Sequence, residues 1–328
     1  MKLLIVIVNY KTPALTVDCL ASVAAELRDH LRGIATRVVV TDNKSPDDSV
    51  ARITEAIRQH QWESWCSLLP MECNGGFAYG NNGAIRPALS SIDPPELVLL
   101  LNPDTVVIPG AIRSLVDAFD ADPRTHLAGS RLEDPDATPQ VSAFRFHRIL
   151  NEFETQLRFG PISRLLGNRA VGMIPLDTPF DCQWVAGASL MIRKSVFDKI
   201  GLLDEGYFMY FEEVDFCLRA ARAGFVCRYL PQSRVVHLVG QASGVTNNTK
   251  ANKRRPAYWF EARRRYFIKN FGRPYAIGAD LAFVAGFVPW RIRRAIQRKP
   301  DPDPSHMLGD IVRHSALFNG SPEPRRIQ

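Results

Sequence analysis

Leu97-Val98-Leu99-Leu100-Leu101-Asn102-Pro103-Asp104 is the stretch on which the fold turns. Five unbroken apolar residues are too few for a buried helix, and a turn ending in a carboxylate stops them. Such a run reads as a strand covered on both faces. Two upstream stretches share the design: residues 3–8 end at Asn9-Tyr10, and Val38-Val39-Val40-Thr41 ends at Asp42-Asn43. Between them, residues 13–28 set Leu15, Cys19, Leu20 and Val23 at helical spacing, and residues 49–58 give a second helical stretch. Strand, helix, strand, helix is the order of an α/β protein with a mostly parallel open sheet flanked by helices. Ligands of such sheets gather beyond the carboxyl ends of the strands, so Asp42 and Asp104 are expected to face one crevice.

Further along, the pattern loosens. Residues 131–181 are rich in Pro, Arg and Phe with weak periodicity and are expected to form long loops or short helices over a cleft. Residues 182–193 read as one strand, and 212–223 as a helix with Val214, Cys217, Leu218 and Ala221 on one face and Gly224 as its stop. A short strand over 233–236 ends at His237.

At 328 residues and 46% hydrophobic, the chain has material for a substantial core. Lys plus Arg number 41 against 34 acids, a net charge of +7, and the excess lies mostly after residue 250. The six cysteines, at 19, 66, 73, 182, 217 and 227, form no CxxC pair, which argues against structural zinc and predicts reduced thiols in a cytosolic compartment. The apolar run at the start is too short for a signal peptide and reads as the first buried strand. After residue 250, Lys253-Arg254-Arg255 and Arg263-Arg264-Arg265 alternate with Tyr258, Trp259, Phe260, Tyr266 and Phe267. Residues 276–290 are apolar but shorter than the ~20 a spanning helix needs. With Arg291, Arg293, Arg294, Arg298 and Lys299 they predict an amphipathic helix lying against anionic lipid.

Chemistry-bearing residues collect at the strand ends. Asp104 can hold a hard divalent cation through its oxygens, although Asn-Pro-Asp is also ordinary turn chemistry. His237 at a strand end is a second candidate ligand. Glu212-Glu213-Val214-Asp215 opens a helix, where acids suit the helix dipole, and Asp215 with Arg219 has the spacing of an ordinary surface pair. The aromatic frame Tyr207-Phe208-Met209-Tyr210-Phe211 beside Glu212 and Glu213 suggests a general base acting on a hydroxyl. Asn74-Gly75-Gly76-Phe77-Ala78-Tyr79-Gly80-Asn81-Asn82-Gly83 lets backbone approach a phosphate, yet matches neither GxGxxG nor GxxxxGK[ST].

In their order, these segments resemble glycosyltransferase family 2, in particular its rhamnosyltransferase-like branch. The likeness is carried by Val40-Thr41-Asp42-Asn43-Lys44-Ser45, the loop at 74–83, Leu101-Asn102-Pro103-Asp104-Thr105, Trp184-Val185-Ala186-Gly187-Ala188 and Phe211-Glu212-Glu213-Val214-Asp215, with His237 downstream. The resemblance implies a GT-A fold and an inverting enzyme that moves a sugar, dTDP-rhamnose being the leading donor; the amphipathic segment over 276–299 points to a polyprenyl-diphosphate-linked saccharide as the acceptor. The resemblance also implies that Tyr10, Asp42, Asn43, Gly76, Asn81, Asn82, Asn102 and Asp104 meet the nucleotide sugar. Asp104 and His237 would hold Mg²⁺ or Mn²⁺, Glu213 or Glu212 would be the base, and Trp184, Gly187 and Glu212 would shape the acceptor pocket. The DxD metal motif common in the family has Asn102 at its first position here. A catalytic domain is expected over 1–245, divided into a nucleotide-binding half (1–105) and an acceptor-binding half (106–245). A membrane-associating helical region over 246–299 and a disordered tail over 300–328 follow, placing the protein in the cytoplasm at the inner face of the cell membrane. Competing readings are a sugar nucleotidyltransferase, for which only Lys11 lies near the first strand, a non-catalytic sugar-nucleotide-binding module, and a basic nucleic-acid-binding protein; no nucleic acid is expected as a partner on the favoured reading.

Overall fold

The computed structural model describes residues 2–166, 169–238 and 253–325. The first half is β1 (Leu3–Asn9), α1 (Pro13–Asp29), β2 (Thr36–Asp42), α2 (Ser49–Gln59), β3 (Cys66–Pro70), α3 (Gly76–Leu89) and β4 (Leu97–Leu101). Then come β5 (Thr105–Val107), α4 (Ala111–Ala121), β6 (Thr125–Glu133), β7 (Ala143–Phe144), α5 (Ile149–Leu157), α6 (Gly160–Leu165), β8 (Phe180–Cys182), β9 (Trp184–Val185), β10 (Ser189–Arg193), α7 (Lys194–Ile200), α8 (Glu212–Arg222) and β11 (Val226–His237). Three helices close the chain: α9 (Ala257–Phe271), α10 (Arg273–Ile296) and α11 (Met307–Arg313).

Nine strands of the described residues make one sheet in the order β3-β2-β1-β4-β10-β6-β11-β5, with β8 beside β11. β1 to β4 run parallel, and β10 is antiparallel to both its neighbours. Strand alternation divides the core in two: Leu4 and Val6 of β1 and Val98 and Leu100 of β4 face one cluster, while Leu3, Ile5, Ile7, Leu97, Leu99 and Leu101 face the other. Local chemistry sets the helix starts. Pro13 opens α1, where a missing N–H costs nothing, and the buried Glu26 carboxylate of α1 accepts the amides of Gly110 and Arg113 at the start of α4, at 2.7 and 3.0 Å. Because β1 has β2 on one side and β4 on the other, the chain reverses direction across the sheet there, which opens a crevice at the carboxyl ends of β1 and β4.

Several expectations are corrected. Residues 182–193 do not form one strand: the run breaks at Ala186-Gly187-Ala188, because those residues leave the sheet to wall the crevice. The strand ending at His237 is 12 residues long, reaching back to Val226. The tail expected to be disordered carries α11, and Met307 and Ile311 join Phe260, Phe283 and Phe287 in a third apolar cluster. The basic tract after residue 250 is partly built into the fold. Arg263 is 2% exposed, and Arg264 donates to the carbonyls of Gly320 and His314. α10 does not lie free either: it packs along α5, where a Cβ on Gly286 would sit 2.4 Å from the Phe153 carbonyl. Tyr266, Phe267, Ala276 and Ala279 sit in the same cluster as β1 and β4, so α9 and α10 complete the core rather than append to it. The expected boundary at 245/246 lies outside the described residues. The six cysteines are free thiols.

Candidate active site

The floor of the crevice is built by register. β11 pairs antiparallel with β5, matching His237 to Thr105, and the Leu238 amide donates to the Asp104 carbonyl at 2.9 Å. Strand pairing thereby sets His237 Nε2 3.5 Å from Asp104 Oδ1, although more than a hundred residues separate them in the chain. Neighbouring ligands of a small divalent ion with bonds of ~2.1 Å stand about 3 Å apart, so a carboxylate oxygen and an imidazole nitrogen at this spacing suit Mg²⁺ or Mn²⁺. Among the described residues no group of three or more His, Cys, Asp or Glu is placed to hold a metal. The remaining positions of such an ion would therefore fall to substrate oxygens and water. Asn102 stands beside this pair, its amide donating to the Ala188 carbonyl at 3.0 Å.

Glu212 and Glu213 line the same crevice. Tyr210 and Phe211 both adopt left-handed backbone, φ 72° and 67°, a costly geometry for aromatic residues that turns the chain sharply into α8. Glu212 is buried and Glu213 half-buried, and each leaves its Oε2 without a hydrogen-bond partner among the described residues. Burial, and then the adjacent Glu213 carboxylate, push the pKa of Glu212 well above the usual carboxylate range. Burial also raises Glu213, while the amides at the head of α8, the Gly187 amide and His147 pull it partly back. Two acids whose environments part their protonation behaviour are the pattern of an acid–base pair.

Gly76 ties the crevice together. At φ +84° it brings its backbone so close to the aromatic segment that a Cβ would meet the Phe208 carbonyl at 1.6 Å. The Phe77 amide donates to that same carbonyl, and Asn43 Nδ2 donates to the Gly76 carbonyl at 2.9 Å. Any side chain at Gly76 would separate the 74–77 loop from the acids.

A cavity of about 360 Å³ joins these parts, lined among others by Tyr10, Asn43, Gly76, Asn102, Asp104, Gly187, Glu212, Glu213 and His237. Four expected site residues are not on its wall. Asp42 is fully buried, receiving Asn9 Nδ2 at 2.6 Å and the Ser45 amide and hydroxyl at 2.8 and 2.7 Å, so it shapes the loop after β2. Asn81 donates to the Phe77 carbonyl within α3, and Asn82 grips Leu203 and Glu205. Trp184, expected in the acceptor pocket, stacks on Phe144 at 4.0 Å and donates Nε1 to the Arg145 carbonyl. Asp215 is no surface pair: it is fully buried and takes bonds from Arg219, Lys269 and Asn270. Conversely, Thr12, Phe77, Met209, Tyr210 and Arg255 line the cavity unannounced. For Phe77, Met209 and Tyr210 the signal was adjacency to motif residues; nothing in the basic tract singled out Arg255.

A family model described as glycosyltransferase like family 2 matches residues 2–265. The chain belongs to that family. The match runs through the boundary expected near 245 and into α9, in keeping with the shared core. Among curated relatives, the N-acetylglucosaminyl-diphospho-decaprenol L-rhamnosyltransferase of Mycobacterium tuberculosis is 30% identical over 191 residues, 54% of this chain and 60% of that one. The low-salt glycan biosynthesis hexosyltransferase Agl10 of Haloferax volcanii is 30% identical over 230 residues, 66% of this chain and 61% of that one. The chain thus spans about three fifths of the length of these relatives. The crystal structure of GalNAc-T7 with UDP, GalNAc and Mn²⁺ aligns with 96% of this chain and 54% of that one, at a TM-score of 0.57 and 14% identity. That is a likeness of fold, and the fold is GT-A.

Proposed function

We propose that the chain is a metal-dependent inverting glycosyltransferase that moves L-rhamnose from dTDP-rhamnose to a hydroxyl of a polyprenyl-diphosphate-linked saccharide. One observation carries this: Asp104 and His237 meet at 3.5 Å in a cavity whose wall also holds two carboxylates, each with one oxygen that has no hydrogen-bond partner among the described residues. The activity named for the Mycobacterium tuberculosis relative supports the sugar and the lipid diphosphate, and the Mn²⁺ in GalNAc-T7 supports a divalent ion.

In the reaction, the acceptor oxygen bonds to the anomeric carbon as the bond from that carbon to the diphosphate breaks, on the opposite face. Glu213, the more accessible acid, takes the acceptor proton. Glu212 lies deeper, keeps its proton and orients the acceptor hydroxyl. Asn43, Tyr10 and the Gly76 backbone hold the donor. A bound divalent ion at Asp104 and His237 would neutralise the charge of the departing diphosphate.

Peripheral membrane attachment belongs to the same proposal. No helix of the described residues is long and apolar enough to cross a membrane. α10 instead keeps Leu281, Ile292 and Ile296 exposed along one stripe, ending at Arg298 and Lys299. Replacing the three apolar residues by Glu should abolish co-sedimentation with anionic vesicles; unchanged sedimentation would remove this part.

The whole reading is tested by offering a panel of nucleotide sugars with and without Mn²⁺ or Mg²⁺, together with lipid-linked saccharides. Metal-dependent release of nucleoside diphosphate that needs both dTDP-rhamnose and acceptor is expected. Turnover of another donor would replace rhamnose, and no turnover of any donor would end the transferase assignment.

A further inference from the structure

We propose that Arg255 is the anion contact of this cavity, receiving the diphosphate group of one of the two substrates. It rests on the transferase reading only for which molecule carries that diphosphate. Arg255 is the one Lys or Arg among the described residues of the cavity wall. Its neighbours in the basic tract are all engaged: Arg254 with Asp310, Arg263 with Glu152 and Asp280, Arg264 with two carbonyls, Arg265 with Asp204. Arg255 has no hydrogen bond or ion pair among the described residues, and its Nε is buried. Its guanidinium lies 4.4 Å over the Trp259 ring, a contact that fixes the stem and leaves the donor fork unused.

A half-buried guanidinium whose Nε is shut off from water and has no carboxylate is costly unless something anionic completes it. Burial lowers its pKa, in line with that cost. Glu212 and Glu213 share the cavity, yet no ion pair joins them to Arg255. Acids and cation are thus held apart in one space, each short of a partner. A ligand that brings an anionic group to one side and a hydroxyl to the other satisfies both. A diphosphate presents the paired oxygens that a planar fork binds in bidentate fashion, which a lysine cannot reproduce.

The test uses the full chain with Mn²⁺, and R255A with R255K as the charge-retaining control. Calorimetry with inorganic pyrophosphate and with dTDP is joined to KM values for a lipid-diphosphate acceptor and for an analogue with an uncharged linker. We expect R255A to weaken pyrophosphate about tenfold or more, with R255K in between and the melting temperature held. Equal weakening of dTDP assigns the contact to the donor. An unchanged dTDP affinity with a raised KM for the diphosphate acceptor alone assigns it to the acceptor. Pyrophosphate, dTDP and both KM values within twofold of wild type in R255A and R255K overturn the proposal, leaving the transferase reading intact. Arg255-dependent pyrophosphate binding without turnover of any nucleotide sugar would do the reverse.

Discussion

Glu152 with Asp280, and Glu212 with Glu213, are two acidic pairs of this chain whose charge is handled in opposite ways. Glu152 of α5 and Asp280 of α10 enclose the Arg263 guanidinium of α9; Glu152 receives it at 2.9 Å, His147 adds a contact at 2.8 Å, and the Ala316 amide donates to Asp280. Glu212 and Glu213 have no such cation among the described residues. The electrostatics follow: burial works against the Glu152 charge, but Arg263 and His147 outweigh it and hold its pKa at about 2, whereas the Glu212–Glu213 pair is pushed up. Complete pairing binds three helices to one another. Incomplete pairing is a standing cost, tolerated where a ligand finishes the set.

The contrast is broken most directly by E213Q. Turnover should fall by about 10²- to 10⁴-fold, the usual weight of a general base, while the melting temperature stays level or rises. A comparable loss of stability, by thermal unfolding, would make Glu213 a structural residue like Glu152. The converse change, R263M, strands two carboxylates in the interior and should cost about 3–5 kcal/mol in urea denaturation. Its turnover per folded molecule should hold; intact stability would show that the triad is not what fastens α5, α9 and α10.

Acidity sharpens the comparison further, since the two groups carry opposite signs. Glu152 is depressed on folding, so its contribution is complete above about pH 4.3 and is lost as the pH falls toward 2. Glu212 and Glu213 are raised, so their contribution is complete below about pH 4.3 and is lost as the pH climbs through their elevated values. The double variant E212Q/E213Q should therefore melt above wild type at pH 8, with the gap closing by about pH 4. Melting curves with a gap that widens on acidification would refute the assignment. The smallest effect is expected from W184F, which loses the bond to the Arg145 carbonyl: about 1 kcal/mol of stability, with acceptor KM within twofold of wild type. A large rise in KM would return Trp184 to the acceptor pocket.

Much of this architecture was legible because it rests on short-range rules. The apolar runs at 3–8, 38–41 and 97–101 have one stable solution, buried parallel strands, and their polar ends had to share a crevice. His237 near Asp104 followed from the resemblance, and the β5–β11 register supplies its cause. What escaped depends on tertiary partners. Asp42 and Trp184 look like site residues by motif, yet their polar atoms are taken up by Ser45 and by the Arg145 carbonyl. Nothing local separates Arg255 from Arg254; only the position of Asp310, more than fifty residues on, decides which guanidinium is paired. The tail looked unstructured because its few apolar residues find their cover on α9 and α10.

The pairing of β5 with β11 also bears on how the molecule matures. It closes a loop of more than a hundred residues, and contacts of such separation form late, after the entropy of closure has been met. The cation proposed for Asp104 and His237 would have no binding place in a chain that has not yet joined those strands. Its uptake would mark the last stage of assembly, and in cells short of the ion the population of unfinished chains would grow.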